Sequence, residues 1–364
     1  MTCFEPRVRI GHSRQSQMYE KFKTKAQIIN VHASGLPYEY WDKKIQENNS
    51  LKYSPQNMSW IPCKKCEGCR ADQMKEWSIR CMAEAAIWES NFFVTLTISD
   101  ENLKDHFYDE ILTPNGITYC DDGTWGASLV KDDIKKFNKD LREHWRTKYG
   151  ETNIRFYMCG EYGSLYGRPH YHMILFNIDI RDLEIFKITP EGILYRSKEI
   201  EKIWGKGYVS IAEVNMLTCQ YVAGYVLKKY RNSWGDEYYY QEGRIPEYHN
   251  ESRRPGIGKD YYEKHKNEIY TTDEIIIAGS AMSKPTKPPK YYDRLYDLEE
   301  PVNLKKIKAQ RQHTAVLNMQ LEDEASSLTR AERYELKRSN LNDKMAQKKK
   351  RQNLEYDTRK INTR

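Results

Sequence analysis

The sequence predicts an α+β fold in which an antiparallel central sheet is flanked by helices. Three short runs of β-branched and aromatic residues predict strands: FFVTLTI (Phe92–Ile98), IRFYMCG (Ile154–Gly160) and HYHMILF (His170–Phe176). A loop rich in Gly and Pro separates the last two runs, as expected for an antiparallel hairpin. Around these strands apolar side chains recur every three or four residues, which is typical of amphipathic helices.

Three helices follow from that periodicity. The first is predicted over Arg70–Glu89, and the second over Lys131–Arg146, where two aspartates favour the N-terminus. A strand over Tyr208–Val214 leads into the third helix, near Leu217–Lys229. The stripe of the first helix consists of Met74, Trp77, Cys81, Ala85 and Trp88. Residues 1 to about 60 show no clear periodicity, so no regular core is expected there.

These elements suggest four segments: an N-terminal region with a small Cys-rich metal-binding lobe (1–75), a catalytic domain (76–260), a linker or loop region (261–302) and a helical or disordered basic tail (303–364). The whole chain carries a formal net charge of +7. From Pro301 onward there are 16 Lys and Arg against 8 Asp and Glu, so the tail holds the surplus. A basic tail favours any polyanion, although a solvated helix would have the same composition.

Several function classes are disfavoured by composition. No apolar stretch is long enough to cross a bilayer, and the first residues lack the apolar core of a secretory signal, so the expectation is a cytosolic protein without a membrane partner. The 28 Tyr residues, many of them among Lys and Arg, suit stacking on unpaired bases, but half-buried Tyr is also an ordinary packing residue.

The sharpest local signal is the pair His170 and His172 in GRPHYHMILF. Alternate residues of a strand project to one face, so both imidazoles can share one metal ion. A hairpin would return His170 beside Glu161, a carboxylate that would complete an open three-ligand site. The alternative is a coincidental His pair on a solvated strand face.

The second signal is YVAGYVLKK. On a helix Tyr221 and Tyr225 lie four residues apart on one face, with Lys228 one turn beyond. A phenol is a weak nucleophile at its ordinary pKa near 10, and a nearby cation such as Lys228 helps it to react. The alternative is that both tyrosines only pack. Gly224 between them costs about 1 kcal/mol in a helix interior relative to Ala.

The third signal is the spacing of Cys63, Cys66 and Cys69 in CKKCEGC, which allows three thiolates to converge on one ion. A structural Zn2+ site needs four ligands in a tetrahedron. An iron–sulfur cluster is the alternative occupant.

The ordered set TLTI, GEYG with HYH, and Y-x3-Y-x2-K resembles motifs one, two and three of the HUH endonuclease superfamily. The flanking words IPCKKCEGCR, SIRCMAEA, GRPHYHMILF, YVAGYVLKK and SRRPGIG resemble more closely the VP4 replication initiators of gokushovirus-type microviruses. The similarity runs from Cys3 to about Gly258.

The resemblance implies an HUH-endonuclease-like sheet that displays both His residues from a central strand, with the tyrosine helix beside it. It assigns Glu161, His170 and His172 to a divalent metal, Mg2+ or Mn2+. Tyr225 takes the place of the nucleophile and Tyr221 that of the second tyrosine. An early Cys in the related initiators makes Cys3 the first choice for the fourth thiolate, with Cys81 second. Candidate contacts to the DNA backbone are Arg168, Lys229, Arg253 and Arg254.

The activity implied by the resemblance is a tyrosine nickase that initiates rolling-circle replication of a small circular single-stranded DNA phage genome. Its attack would leave a 5′-phosphotyrosine link and a free 3′-hydroxyl. The implied partners are origin single-stranded DNA, a host helicase and the host DNA polymerase machinery, in the host bacterial cytoplasm. The alternatives are a related tyrosine transposase or relaxase, and a non-catalytic zinc-containing nucleic-acid-binding protein.

Overall fold

A computed structural model describes the chain over most of its length and divides it into two compact units. One unit comprises Met1–Asp72 with Lys308–Arg364, and the other comprises Gln73–Ile307. The described residues are 3–10, 27–34, 36–50, 58–108, 110–113, 116–119, 126–150, 153–163, 167–190, 192–224, 239–277 and 285–344. None of the helices in these ranges is long and apolar enough to cross a membrane.

The first unit contains a small antiparallel sheet in the order β2-β1-β3. Its strands are β1 (Arg7–Ile10), β2 (Gln27–Asn30) and β3 (Met58–Ile61), and its N-terminal helices are α1 (Val31–Ser34) and α2 (Tyr38–Ser50). The buried core consists of Val8, Val31, Tyr38, Trp41, Ile45 and Met58. The expectation of no regular core in the first 60 residues is therefore wrong. Four-residue strands are too short to show a period, and their partners are far apart in the sequence.

The basic tail contributes helices to this first unit. α10 (Pro301–Glu324) is followed by a further helix over 330–344. Arg330 is buried between the carboxylates of Asp42 and Asp323, and Tyr334 packs edge-to-face on Tyr38. The described part of the tail is thus helical, and aromatic and ionic contacts hold it to the N-terminal residues.

The second unit is built on a seven-stranded antiparallel sheet in the order β12-β7-β8-β4-β11-β10-β9. Its strands are β4 (Asn91–Thr97), β7 (Arg155–Tyr162), β8 (Pro169–Phe176), β9 (Glu184–Thr189), β10 (Gly192–Arg196), β11 (Val209–Glu213) and β12 (Tyr248–Glu251). A separate hairpin joins β5 (Glu110–Thr113) to β6 (Gly116–Tyr119). The antiparallel sheet with flanking helices confirms the predicted α+β fold.

Both faces of this sheet are covered around β8. On one face Met173 and Leu175 pack with α5 (Lys131–Tyr149) and α6 (Lys198–Trp204). The buried stripe of α5 consists of Ile134, Phe137, Leu141 and Trp145, as its periodicity predicts. On the other face Ile174 and Phe176 pack with α3 (Glu67–Ala85) and α7 (Met216–Ala223). The short helix α4 (Asp100–Leu103) follows β4.

The interval 261–302, expected from sequence as a linker or loop region, is folded. It lies largely in α8 (Lys259–Thr272) and α9 (Lys290–Glu299). The rings of Tyr270 and Tyr296 stack at 3.8 Å with an interplanar angle of 3°. Tyrosine, which suggests a loop when it occurs among polar residues, supplies the packing surface of both helices: Tyr261, Tyr262, Tyr270, Tyr292 and Tyr296 are buried.

Candidate active site

The candidate metal ligands lie on two neighbouring strands in the middle of the sheet. β8 lies between β7 and β4, and its register places His170 opposite Glu161 and His172 opposite Thr95. Directly opposite residues of an antiparallel pair share a face, so Glu161 and His170 project to the same side. The return of His170 beside Glu161, which the hairpin predicts, is the observed geometry.

Both imidazoles point their Nε2 atoms at one oxygen. Glu161 Oε1 lies 3.1 Å from Nε2 of His170 and 3.2 Å from Nε2 of His172. The three ligand atoms lie within 4.8 Å of one another. Glu161 is 1% exposed and His172 5% exposed, so this is a largely desolvated cluster.

The other nitrogen of each ring is held in place by a second group. His170 Nδ1 donates to the backbone carbonyl of Arg168 at 3.1 Å, and His172 Nδ1 lies 2.9 Å from Thr95 Oγ1. Because a carbonyl only accepts, Nε2 of a neutral His170 ring carries the lone pair, and that lone pair faces a carboxylate oxygen. Converging electron-pair donors with fixed second contacts are what a divalent cation requires. The residues therefore fit a metal ion.

Tyr221 reaches this cluster from α7. Its hydroxyl donates to Glu161 Oε1 at 3.0 Å and lies 3.4 Å from His172 Nε2. The rings of Tyr221 and His172 meet edge-to-face at 4.7 Å, and Phe93 stacks on the other side of His172. Burial, with the negative charge of Glu161, raises the pKa of Tyr221 well above its ordinary value near 10. The protein groups alone thus hold Tyr221 as a neutral phenol.

The position of Tyr221 is fixed by the local structure of α7. Asn215 caps the helix: its side chain accepts from the backbone N–H of Thr218, while the Thr218 hydroxyl accepts from the backbone N–H of Asn215. Val222 and Cys219 are buried against the sheet. Gly224 follows the helix as its C-cap, where a Cβ would lie only 2.9 Å from the carbonyl oxygen of Gln220.

Three of the predicted residues, Tyr225, Lys228 and Lys229, lie outside the described residues. The described part of the tyrosine helix is therefore its first two turns, and of the two tyrosines it contains Tyr221.

The candidate DNA-contacting arginines fall into two places. Arg168 lies just before β8, where it donates to Asp100 at 2.5 Å and to the carbonyl of Ile98 at 2.7 Å. Arg253 and Arg254 are exposed and follow β12 beside Phe156. Phe156 is five residues along β7 from Glu161, about 17 Å at 3.3 to 3.4 Å per residue. The structure brings Arg168 to the metal cluster and leaves Arg253 and Arg254 distant from it.

Two residues of the site were missed by sequence reasoning. Thr95 contacts His172 through its hydroxyl, and Phe93 stacks on the same ring with centroids 5.7 Å apart. Both lie on β4, inside a segment that the sequence identifies only as a strand motif. Their alternation in FFVTLTI places them on one face, but the pairing of β4 with β8 was needed to identify that face.

The four cysteines at the N-terminus form a second cluster. Cys3, Cys63 and Cys66 are buried and Cys69 is half-buried, with their sulfur atoms within 4.8 Å of one another. Sγ atoms of Cys63 and Cys69 are 3.9 Å apart, and those of Cys66 and Cys3 are 3.8 Å apart. A tetrahedron with Zn–S bonds of about 2.3 Å has edges of about 3.8 Å, so the cluster fits zinc.

Backbone donors surround these sulfurs as well. The N–H of Cys63 donates to Cys3 Sγ at 3.2 Å, and the N–H of Phe4 donates to Cys66 Sγ at 3.3 Å. Hydrogen bonds from the Cys3 and Cys69 side chains outweigh burial and lower the pKa of Cys66, which favours a thiolate. Cys81, the other candidate for the fourth ligand, is instead buried in the core of the second unit.

Comparison with known proteins agrees with this geometry. A family model for the replication-associated protein of the ORF2 type matches residues 91–230, from β4 through the tyrosine motif. The chain is 34% identical over 241 residues to the replication-associated protein ORF2 of Spiroplasma virus 4, covering 66% of this chain and 68% of that protein.

Two further relatives are also phage proteins. The replication-associated protein VP4 of Bdellovibrio phage phiMH2K is 27% identical over 255 residues, which cover 70% of this chain and 73% of that protein. The replication-associated protein ORF4 of Chlamydia phage 1 is 27% identical over 224 residues, 60% of this chain and 50% of that protein. No solved structure matches the chain. The chain belongs to the replication-associated protein family of the ORF2 type, as the resemblance to microvirus replication initiators predicts.

Proposed function

We propose that this protein is a metal-dependent HUH endonuclease that nicks single-stranded origin DNA and so initiates rolling-circle replication of a small circular phage genome. One observation carries the proposal. A tyrosine hydroxyl lies within hydrogen-bond distance of a buried carboxylate toward which two imidazoles also converge. A packing tyrosine has no need of that set, whereas tyrosine attack on a phosphodiester does.

The chemistry joins a tyrosine oxygen to the scissile phosphorus and breaks the bond from phosphorus to the 3′ oxygen. The products are a 5′-phosphotyrosine link and a free 3′-hydroxyl, and the phenolic proton must leave the attacking oxygen. The hydrogen bond from Tyr221 to Glu161 already directs that proton to a base. Tyr225 is assigned the first attack and Tyr221 the second, with Lys228 as the neighbouring cation.

Glu161, His170 and His172 would hold the divalent ion, Mg2+ or Mn2+. When bound, such an ion polarises the phosphate and offsets negative charge on its oxygens. The four-cysteine cluster would hold Zn2+ and stabilise the first unit without taking part in the reaction. The host helicase and polymerase, acting in the bacterial cytoplasm, would extend the 3′ end.

The test is formation of a covalent adduct. Purified protein is incubated with labelled single-stranded circles of its own genome, with and without Mg2+ or Mn2+, and separated on a denaturing gel. We expect a metal-dependent protein–DNA band that His172→Ala abolishes. Tyr225→Phe, Tyr221→Phe and the double variant assign the nucleophile, while Tyr40→Phe, an exposed tyrosine of the other unit, serves as the matched control.

The outcome also separates the alternatives. A protein that binds the circles but forms neither nick nor adduct with any metal would be the non-catalytic nucleic-acid-binding protein. A metal-dependent adduct that survives in the double tyrosine variant would show that another residue attacks, which contradicts the assignment. An adduct formed on unrelated mobile-element ends but not on its own genome would favour a transposase or relaxase.

A further inference from the structure

The face of the sheet that bears the metal ligands continues across β11, β10 and β9, where described side chains stand open to solvent. Two of them are aromatic: Tyr208, just before β11, is 67% exposed, and Phe186 on β9 is 50% exposed. Burial of two rings in a core is the ordinary way to stabilise such side chains, so their exposure needs a reason.

A cation lies between the two rings. The guanidinium carbon of Arg196, on β10, is 3.8 Å from the ring centroid of Phe186 and 5.9 Å from that of Tyr208. The Arg196 side chain is itself 41% exposed, with Glu201 at 4.0 Å. A register shift between Leu194 and Tyr195 leaves Phe186 as the extra residue of β9. Such a bulge re-aims a side chain, and here the ring lies against the guanidinium.

Strand register makes this aromatic–cation cluster continuous with the candidate active site. Ser210 on β11 is opposite Thr95, and Thr95 is opposite His172. Tyr195 is opposite Ile211, so the next residue, Arg196, falls beside Ser210. The residues of one such row share a face of the sheet.

The adjacent row behaves in the same way. Thr97 is opposite His170, and its backbone N–H donates to the carbonyl of Tyr208 at 3.0 Å. The surface between the ligands and the rings is therefore floored by small, half-buried side chains: Thr95, Thr97 and Ser210. At about 4.8 Å per strand, Arg196 lies about 14 Å from the His172 position and β9 about 19 Å.

We propose that Tyr208, Arg196 and Phe186 form a stacking subsite for the single-stranded DNA that enters the active site, an inference that rests on the proposed function. The strand crosses the sheet over the threonine floor, and bases stack on the two rings. The guanidinium offsets the charge of the adjoining phosphate. The subsite takes up about three to five nucleotides, since a stacked strand rises about 3.4 Å per nucleotide and an extended one rises more.

The chemistry favours an unpaired strand. Every base offers a π-face, so exposed rings interleaved with a cation bind single strands without regard to sequence. An Arg stacked on aromatic rings keeps its charge available to phosphate. In a duplex the base faces are already stacked on each other and cannot take up Tyr208 or Phe186.

Binding of a fluorescent oligo(dT) 20-mer, measured by anisotropy without added Mg2+ or Mn2+, tests the subsite apart from cleavage. We expect Phe186→Ala and Tyr208→Ala each to weaken binding at least about 5-fold. Arg196→Gln is expected to make the slope of log affinity against log salt shallower by about 0.7. The matched control is Ile188→Ala, because Ile188 is 73% exposed on the same strand and projects to the opposite face.

A second readout fixes the position of the strand. Oligonucleotides carrying one 5-iodouracil at successive positions are photocrosslinked, and the crosslinked peptides are identified by mass spectrometry. Crosslinks at Phe186 or Tyr208, at a constant offset from the nucleotide that crosslinks near His170, would support the subsite. A duplex of the same length should give none.

Three outcomes would overturn the inference. One is that Phe186→Ala and Tyr208→Ala bind the oligonucleotide as the wild type does. Another is that Ile188→Ala weakens binding as much as they do. The third is that sedimentation shows a dimer that Phe186→Ala dissociates, with DNA affinity following the dimer alone, which would assign the β9 edge to self-association. A wild type that binds and crosslinks but never nicks would contradict the proposed function and leave the subsite standing.

Discussion

Replacing Thr95 by Val removes one hydrogen bond at the metal cluster and changes little else. Thr95 Oγ1 lies 2.9 Å from Nδ1 of His172, the nitrogen that does not face Glu161. Loss of such an orienting partner lowers metal affinity by about 10- to 100-fold. That range corresponds to about 1.4 to 2.7 kcal/mol at 1.4 kcal/mol per tenfold. Valine has nearly the same shape and is favoured in strands, so β4 should persist.

The measurement is Mn2+ binding by isothermal titration calorimetry, with thermal unfolding of the metal-free protein alongside. The matched control is Thr97→Val, two residues along the same face, whose hydroxyl contacts the backbone of Tyr208 and no imidazole. We expect a weaker Mn2+ constant for Thr95→Val, a wild-type constant for Thr97→Val and similar metal-free unfolding for both. Equal Mn2+ affinity in Thr95→Val and wild type would refute the reasoning, and equal losses in both variants would attribute the effect to the sheet as a whole.

Three other perturbations test different parts of the molecule. Cys63→Ser should release about one zinc equivalent per chain and lower the melting temperature, as shown by metal analysis and calorimetry, whereas visible absorbance in the wild type would indicate an iron–sulfur cluster. Arg155→Met should lower the free energy of unfolding by about 3 to 5 kcal/mol in urea titration, because it deprives the fully buried Glu84 carboxylate of its cation, and the accompanying Glu84→Leu should recover part of that loss. The pKa of Asp133 is lowered because hydrogen bonds from a histidine and from Lys206 outweigh burial, so its contribution to stability is present above about pH 4 and is lost as pH falls through the folded value; Asp133→Asn should flatten that part of the pH profile.

The metal ligands could be predicted from sequence because they depend on short-range rules. The period of two along β8 places both histidines on one face, and the Gly and Pro loop returns the chain to Glu161 nine residues away. The cysteine spacing is equally local, with Cys3 joining from the N-terminus. These inferences needed no knowledge of distant strand pairing.

The parts that escaped prediction depend on distant pairing. β9 shows apolar residues with no clear alternation because a bulge interrupts its register and its described side chains are almost all exposed. β12 is four half-buried residues, and only its pairing with β7 identifies it as a strand. The tyrosines of α8 and α9 occur among charged residues, and their burial follows from stacking between helices rather than from a strong apolar stripe.

The placement of the two candidate sites on the sheet has a physical rationale. Ligands on strands are held by ladders of hydrogen bonds on both sides, so Glu161 and His172 cannot drift apart as loop residues could. The core beneath them, with Ile174 and Phe176 fully buried on the same strand, fixes β8 against α3 and α7. Beyond β4 the described side chains of that face become exposed, and there the rings can change rotamer without disturbing the core. A rigid centre for chemistry beside an adaptable surface for a flexible polymer is what cleavage of a single strand requires, and the burial changes from one to the other within about four strands.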